Sequence, residues 1–430
     1  MAAAWTNWAG DQRCVPARIE SPHSRAALVE SVSRATAEGL TVRAAGHGHS
    51  FSAAPCTGGV LLDMSRLDRV LDVDRAAGRV KVEAGIGLRG MNEAIWGHGL
   101  AMENLGDIDK QTVSGAISTG THGTGARFRN LSSQVEGMEL VLGDGTLHEV
   151  SAGDPDELRA ARISIGALGV IATLTLRAVP AFSIRRVDSP LPLDETLERI
   201  DDLADGSDHF EFYVFPHTRT ALLRQSERTD EEPRPRNPVG RFANEVVAEN
   251  WAMGAIARLG RSRPDRIPGL ARFVSDRVGR STTLDRSYRV YASRRRIRFT
   301  EMEYAIPRRH AGEAVPAVLE AAERSDPGVG FPIEVRFVAA DDSMLSPAFE
   351  RDTTYVAVHQ YRGMAWEPYF RAVEEVMDSY GGRPHWGKRH FQSGETLAER
   401  YPAWEDFAQV RERLDPDRAF RNEYLDRVLG

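Results

Sequence analysis

The chain has 430 residues, of which 41% are apolar, and its 55 basic and 62 acidic side chains give a formal net charge of −7 at pH 7. That length and apolar content allow two or three domains with packed cores, and the absence of a concentrated basic patch excludes a nucleic-acid groove. No run of about 18 apolar residues predicts a transmembrane helix, and the start MAAAWTNWAGDQRC has no secretory signal pattern. With only two cysteines, Cys14 and Cys56, a reduced cytoplasmic protein is expected, although a disulfide between them is the alternative.

The first 180 residues predict short strands and helices in alternation. Residues 24–38 have the pattern of an amphipathic helix that ends at Gly39, and 40–43 follow as a short strand. Further predicted elements are strands at 59–65, a strand–turn–strand at 69–85, a helix at 87–98, a hairpin through Asp144-Gly145 at 134–149, and a β-rich run at 165–178. Pro180 is predicted to end this unit.

The second half predicts a strand–helix–strand unit at 183–223, followed by a charged, proline-rich linker at 226–239 and a helical stretch at 240–279. Strands are expected at 288–306, 331–340 and 354–361, helices at 311–324 and 367–379, and a helical end at 399–429. The predicted fold class is α+β. We expect a first domain at 1–180, a second domain at 181–385, and a C-terminal return to the first domain at 386–430.

The segment RAAGHGHSFSAAP (43–55) contains two histidines, His47 and His49, in a turn broken by glycines. Such a pair points to a metal, to proton transfer or to a bond with a ligand. Zinc normally takes four ligands, and the segment does not offer the rest of such a set, so a metal is the least favoured of the three.

A second glycine-rich segment, VSGAISTGTHGTGAR (113–127), interleaves glycines with hydroxyl side chains. Its spacing fits neither the dinucleotide fingerprint G-x-G-x-x-G nor the phosphate loop G-x-x-x-x-G-K-[ST]. Backbone N–H groups in such a loop suit a pyrophosphate, and the alternative is a set of tight turns packed together. Gly166 and Gly169 in SIGALGVIATLTL (164–176) form a third, weaker glycine site.

Two polar patterns occur in the second half. On a strand at 333–340, Glu334 and Arg336 share one face, and they indicate either an exposed ion pair or part of a site. The segment RPHWGKRHF (383–391) concentrates donors around a tryptophan, which suits a sugar or polyol as well as a polar surface strand. Arginines are also concentrated at 289–309. They indicate either a solvated surface or a site that binds an anion or a membrane surface.

Taken together, these motifs resemble the vanillyl-alcohol-oxidase-type (PCMH-type) flavoproteins, and within them the sugar-1,4-lactone oxidases and dehydrogenases. The resemblance rests on RAAGHGHSFS (43–52), NLGDIDKQTVSGAISTGTHGTG (104–125), SIGALGVIATLTL (164–176), EMEY (301–304), IEVRF (333–337), HWGKRH (385–390) and FRNEYLDRVLG (420–430). It implies a two-part FAD-binding domain and an α+β cap domain over the flavin ring.

The resemblance also implies site residues. His49 matches the histidine that carries FAD covalently through the flavin 8α methyl group in much of this family. The expected cofactor-binding residues are Ala45, Gly46, His47, Gly48, His49, Ser50, Val113, Ser114, Gly115, Ser118, Thr119, Thr121, His122, Gly123, Gly169, Val170, Ile171, His385 and Lys388. The expected catalytic residues are Glu334, Arg336, Lys388 and His359, with no metal and no assigned base. For His122, a structural role in the FAD loop is favoured over a catalytic one.

The implied reaction is hydride transfer from a C–H of an aldonolactone to flavin N5, with O2 or a soluble or membrane carrier as electron acceptor. An alditol or carbohydrate oxidase on the same scaffold is the alternative. A sugar-binding protein without flavin is the rival from another class. The expected location is the cytoplasm, with a membrane surface as the alternative.

Overall fold

In the computed structural model, residues 3–235, 258–277, 279–292, 297–326 and 328–430 are described. The strands are β1 (Trp5–Thr6), β2 (Arg13–Cys14), β3 (Arg18–Glu20), β4 (Val42–Ala45), β5 (Val60–Asp63), β6 (Val70–Asp74), β7 (Arg79–Glu83), β8 (Leu100–Ala101), β9 (Val135–Val141), β10 (Leu147–Ser151), β11 (Val170–Arg177), β12 (Val179–Pro180), β13 (Ser183–Pro192), β14 (His209–Val214), β15 (Thr220–Thr229), β16 (Ser281–Arg286), β17 (Phe299–Pro307), β18 (Ile333–Val338), β19 (Thr353–Tyr361) and β20 (Arg383–Pro384).

The helices are α1 (Arg25–Ala37), α2 (Leu88–Gly97), α3 (Val113–Ser118), α4 (Pro155–Arg162), α5 (Leu193–Glu198), α6 (Ile200–Asp205), α7 (Ile267–Ser275), α8 (Ser287–Tyr291), α9 (Ala311–Glu323), α10 (Glu367–Ser379), α11 (Gly394–Ala398), α12 (Trp404–Leu414) and α13 (Glu423–Leu429). The mixture of helices with parallel and antiparallel sheets confirms the α+β class. None of the helices described here is long and apolar enough to cross a membrane.

Two small sheets and their helices make the first hydrophobic core. A parallel sheet has the order β3-β5-β4, and an antiparallel sheet has the order β10-β9-β11-β7-β6. Residues from the C-terminal helices, among them Leu414 and Leu425, pack in the same core. So do Met344, Leu345 and Phe349, which lie within the predicted second domain. The domain boundaries at 180 and 385 remain a prediction.

An eight-stranded sheet, in the order β16-β13-β15-β14-β18-β19-β17-β20, makes the second core. Side chains on a strand alternate between faces, and here the two faces differ sharply. Ile333, Val335 and Phe337 of β18 pack in an apolar core together with helices α9 and α10. The opposite face carries buried charged side chains from four neighbouring strands. We call this opposite side the charged face.

Most predicted elements are present, and three predictions are corrected. Residues 226–229 belong to β15, where they pair with β13, so the linker predicted at 226–239 does not begin there. The predicted strand at 288–306 begins with the short helix α8, and its sheet pairing starts only at Phe299. The helical end predicted at 399–429 begins earlier, at α11, and is broken into three helices. Much of the helical stretch predicted at 240–279, like Arg294, Arg295 and Arg296 of the basic cluster, lies outside the described residues.

Candidate active site

An open groove of about 900 Å³ runs beside the first hydrophobic core, where the glycine-rich segments meet. We call it the glycine groove and define it by the turn at 44–50, the face of α3, the turn at 165–171 and Phe420. The first, second and third glycine segments, far apart in the sequence, therefore line one cavity.

The turn at 47–50 presents a row of free backbone donors to this groove. In the described part of the chain, the N–H groups of these four residues donate to no protein acceptor. Gly48 has a φ of +68°, and a Cβ there would lie 3.3 Å from the ring of Trp5, so glycine is required at this position. Consecutive N–H groups in such a turn form a concavity that binds anions, which fits the pyrophosphate of a dinucleotide.

His49 lies in the groove with its ring stacked on Trp8, at a centroid distance of 5.4 Å and an interplanar angle of 24°. Burial, with smaller contributions from the neighbouring His47 and Lys110, lowers the pKa of His49 to about 4. The imidazole is therefore neutral at pH 7 and one of its nitrogens keeps a lone pair.

His47 does not act with His49 as a pair. Its Nδ1 lies 2.7 Å from the backbone oxygen of Lys110, an acceptor, so Nδ1 donates and the ring holds the 110 loop. Within the described residues, the cluster with metal-ligand spacing lies elsewhere, at His122, Glu303 and His385. The structure thus gives no support to a metal at His47 and His49.

The predicted cofactor residues divide into two sets. Those that line the glycine groove are Ala45, Gly46, His47, Gly48, His49, Ser50, Ser114, Gly115, Ser118, Thr119, Gly169, Val170 and Ile171. Those that do not line it are Val113, Thr121, His122, Gly123, His385 and Lys388. Val113 is instead packed in the first core.

Glu334 and Arg336 are both buried, so the interpretation as an exposed ion pair is wrong. Arg336 contacts the carboxylate of Glu334, and its Nε lies 2.9 Å from Oε2 of Glu211 on the adjacent strand β14. Tyr213 bridges the two carboxylates, with its hydroxyl 2.8 Å from Glu211 and 3.0 Å from Glu334. Although burial alone lowers the pKa of Arg336, Glu334, Glu211 and Asp107 raise it well above its ordinary value. The guanidinium is a fixed positive charge.

Lys388 and His359 meet at a second carboxylate on the same face. Nζ of Lys388 lies 2.5 Å from Oε1 of Glu301, and Nε2 of His359 lies 3.5 Å from the same oxygen. Burial raises the pKa of Glu301, but Lys388 and His359 outweigh it and bring the pKa to about 2. The ammonium of Lys388 is 5.4 Å from the centre of the Phe51 ring, which directly follows the turn at 47–50. This cluster therefore adjoins one end of the glycine groove.

His122 contacts Glu303, which lies on β17 two residues after Glu301. Its Nδ1 is 2.8 Å from the backbone oxygen of Gly123, and its Nε2 is 3.2 Å from Oε1 of Glu303. The backbone oxygen of Gly123 can only accept, so Nδ1 of His122 donates to it, while Nε2 faces the Glu303 carboxylate. His385 accepts the N–H of Gly387 at Nδ1, which places its own hydrogen on Nε2. These three buried side chains form the cluster with metal-ligand spacing, and the hydrogen bonds at Nδ1 set the orientation of both rings.

Several site residues have no counterpart in the sequence prediction: Trp8, Arg43, Glu211, Tyr213, Glu301 and Glu303. A signal existed for the last two, because E-M-E-Y alternates charged and apolar residues as a strand with one polar face does. Glu211 and Tyr213 show the same alternation in HFEFYV (209–214). The contact of Trp8 with His49 is made across 41 residues of chain, and nothing in either segment indicates it.

Comparison with known proteins gives two family models, a D-arabinono-1,4-lactone oxidase model at residues 174–428 and an FAD binding domain model at 16–151. L-gulono-1,4-lactone dehydrogenase from Mycobacterium tuberculosis is 50% identical over the full length of both chains. Alditol oxidase from a Streptomyces species is 31% identical, again over the whole of both chains. The crystal structure of cholesterol oxidase from B. sterolicum superposes with a TM-score of 0.82 at 15% identity, covering 99% of this chain and 96% of that one.

Proposed function

Because the chain belongs to the D-arabinono-1,4-lactone oxidase family, we propose that its glycine groove holds FAD and that the charged face holds an aldonolactone. The protein is an FAD-linked oxidoreductase of aldonolactones with the vanillyl-alcohol-oxidase-type fold. The observation that carries the placement is the row of free N–H groups at 47–50, beside the ion pair of half-buried Lys388 with buried Glu301. When bound, FAD would supply the acceptor for the hydride that leaves the substrate.

We further propose that His49 bonds covalently to the 8α methyl carbon of FAD. A neutral imidazole is the nucleophilic form, and burial keeps His49 neutral. Forming the C–N bond removes a proton from the imidazole and a proton with two electrons from the methyl group. These electrons leave through the same acceptor that the catalytic reaction uses. Stacking on Trp8 positions the ring and supports this role.

The covalent bond is tested by acid precipitation of the yellow protein. We expect the colour to stay with the precipitated wild-type chain and to be released from the His49→Ala variant. If His49→Ala retains its flavin in the pellet, another residue carries the bond. A wild-type chain that releases all of its flavin would show that no bond exists.

For the chemical step, we propose that Arg336 and Lys388 stabilise the oxygen of the substrate hydroxyl as its proton leaves. Arg336 is a buried cation and Lys388 a half-buried one, and each is held by carboxylates that fix its position. Glu334 either orients Arg336 or accepts a substrate hydroxyl. Through Glu301, His359 supports Lys388. We expect Lys388→Met to lower kcat by at least about 100-fold, since the variant lacks one electrostatic donor.

Experiment determines two features of the reaction, the class of substrate and the electron acceptor. Turnover of L-gulono-1,4-lactone and D-arabinono-1,4-lactone, measured against xylitol and sorbitol, distinguishes a lactone enzyme from an alditol oxidase. We expect the lactones to be preferred, and turnover of the alditols alone would reverse the assignment. Anaerobic reduction followed by timed exposure to air distinguishes O2 from a carrier as electron acceptor.

A further inference from the structure

Arg43, on strand β4, is a buried cation in the wall of the glycine groove, with 4% of its surface exposed. Its guanidinium makes four hydrogen bonds, and every one goes to a backbone carbonyl. Nε donates to Ala54 at 2.7 Å, and Nη2 donates to Ile165 at 2.6 Å. Nη1 donates to Gly166 at 2.9 Å and to Phe420 at 2.8 Å.

These bonds join three parts of the groove that are distant in the sequence. Ala54 follows the first glycine turn, Ile165 and Gly166 form the third, and Phe420 belongs to the C-terminal return. Ile165 has a φ of +54°, which is rare for a β-branched residue and marks a conformation that its surroundings enforce. Arg43 is therefore a fixed part of the groove, with little freedom to move away from a ligand.

The charge of Arg43 has no direct counter-ion in the described part of the chain, where it makes no ion pair with a carboxylate. The oxygens of nearby Asp415 accept the N–H groups of Ala419 and Phe420 instead, and Arg411 adds a second positive charge. Burial and Arg411 lower the pKa of Arg43 to about 10, which still leaves it charged at pH 7. A buried cation without an anionic partner is costly, and an anion bound in the groove would offset that cost.

We propose that Arg43 is the charge partner of the FAD pyrophosphate, acting from the groove wall while the N–H groups at 47–50 contact the phosphates. A guanidinium has five N–H donors, and four are used by carbonyls, so one on Nη2 remains. The proposal rests on the placement of FAD in the glycine groove. It adds a cofactor-binding residue that the glycine motifs do not indicate.

Arg383 provides a matched control. It is also buried, at 5% exposure, and also donates only to carbonyls, with Nε 2.7 Å from the oxygen of Arg400 and Nη1 2.9 Å from that of Phe349. It does not line the groove. Loss of Arg383 removes the same kind of carbonyl bonding without affecting the charge next to the cofactor.

The experiment measures the Kd of FAD with deflavinated protein in the His49→Ala background, where the proposed covalent bond cannot form. We expect Arg43→Met to weaken FAD binding by about 10- to 100-fold, as for loss of a charged hydrogen-bond partner. Arg43→Lys, which keeps the charge, should lose less, and Arg383→Met should stay within about threefold of the parent. Thermal melting of each deflavinated protein checks that it is folded. If Arg43→Met does not fold, the Kd of FAD for Arg43→Lys is compared with that for Arg383→Lys. A larger loss of binding in Arg43→Lys then supports the proposal, and equal losses overturn it.

Each other outcome has a definite meaning. Equal losses in Arg43→Met and Arg383→Met, or a loss in Arg43→Lys as large as in Arg43→Met, would overturn the charge partnership and leave only a structural role. Unchanged binding in Arg43→Met would also overturn it. Ser118→Phe places a ring in the groove on another wall. If Ser118→Phe binds FAD as the parent does, the placement of FAD in the groove is itself wrong, which is a separate failure.

Discussion

Replacing Lys388 by methionine should destabilise the protein in a way that depends on pH. In the folded protein, Lys388 and His359 hold the pKa of buried Glu301 at about 2, against an ordinary value of 4.5. A carboxyl with a lowered pKa contributes stability above its ordinary pKa and loses it as the pH falls toward the folded value. The difference corresponds to about 3 kcal/mol at pH 7. Lys388→Met should remove most of this and lower Tm by several degrees.

The pH dependence separates this cause from lost packing. Without Lys388, burial raises the pKa of Glu301, so the variant takes up a proton on Glu301 as the pH falls. The gap in Tm between wild type and Lys388→Met, followed by calorimetry on the holoenzyme, should therefore narrow between pH 7 and pH 5. The double variant Glu301→Gln/Lys388→Met should recover most of the lost stability, because no unpaired buried charge remains.

A surface lysine serves as the control. Lys81, 39% exposed and 3.7 Å from Glu139, should cost less than about 0.5 kcal/mol when replaced by methionine. A gap in Tm that does not change with pH, or a double variant no more stable than Lys388→Met, would refute the electrostatic reasoning.

Three further predictions concern the two clusters and the histidine stack. Trp8→Ala should slow covalent attachment of FAD by about 2- to 10-fold, since it removes an aromatic contact to His49; the assay is the bound fraction of flavin against time after adding FAD. Tyr213→Phe should raise the KM for lactone by about tenfold with unchanged flavin content, because the Arg336 partners lose their shared donor, and an unchanged KM would argue against this. His122→Gln removes the ring that lowers the pKa of buried Glu303, so that pKa should rise, which shows as a shift of the acid limb of the kcat profile to higher pH.

Much of the fold could be predicted from the sequence because its signals are local. Helix α1 has a serine N-cap whose side chain accepts the N–H of Ala27, and it is followed by Gly39 at a φ of +72°. Alternation in β18 correctly predicted that Glu334 and Arg336 share a face. Burial of that face could not be read from alternation, since it depends on residues early in the chain, such as Asp107 and His122, that contact the sheet. The linker predicted to begin at 226 is wrong for a similar reason. Residues 226–229 are polar or charged, yet they pair with β13 in the sheet, and this long-range pairing has no local signal.

The sequence predicted the motifs of the candidate site but not which of its side chains contact one another. The glycine turns predicted a ligand-binding cavity, and they line one groove. The carbonyl bonds of Arg43 span 377 residues at their longest and leave no local pattern. Glu211 and Arg336 meet through the register of β14 with β18, which the sequence does not specify. Finding the buried ion pairs thus requires the tertiary structure, whereas finding the glycine turn at 47–50 does not.

The most direct measurement is anaerobic titration of the purified yellow protein with L-gulono-1,4-lactone, followed by the visible absorbance of the flavin. We predict bleaching of the absorbance by the lactone, complete at excess substrate, with little change on adding xylitol. Absorbance that no aldonolactone bleaches, while an alditol or another sugar does, would contradict the account.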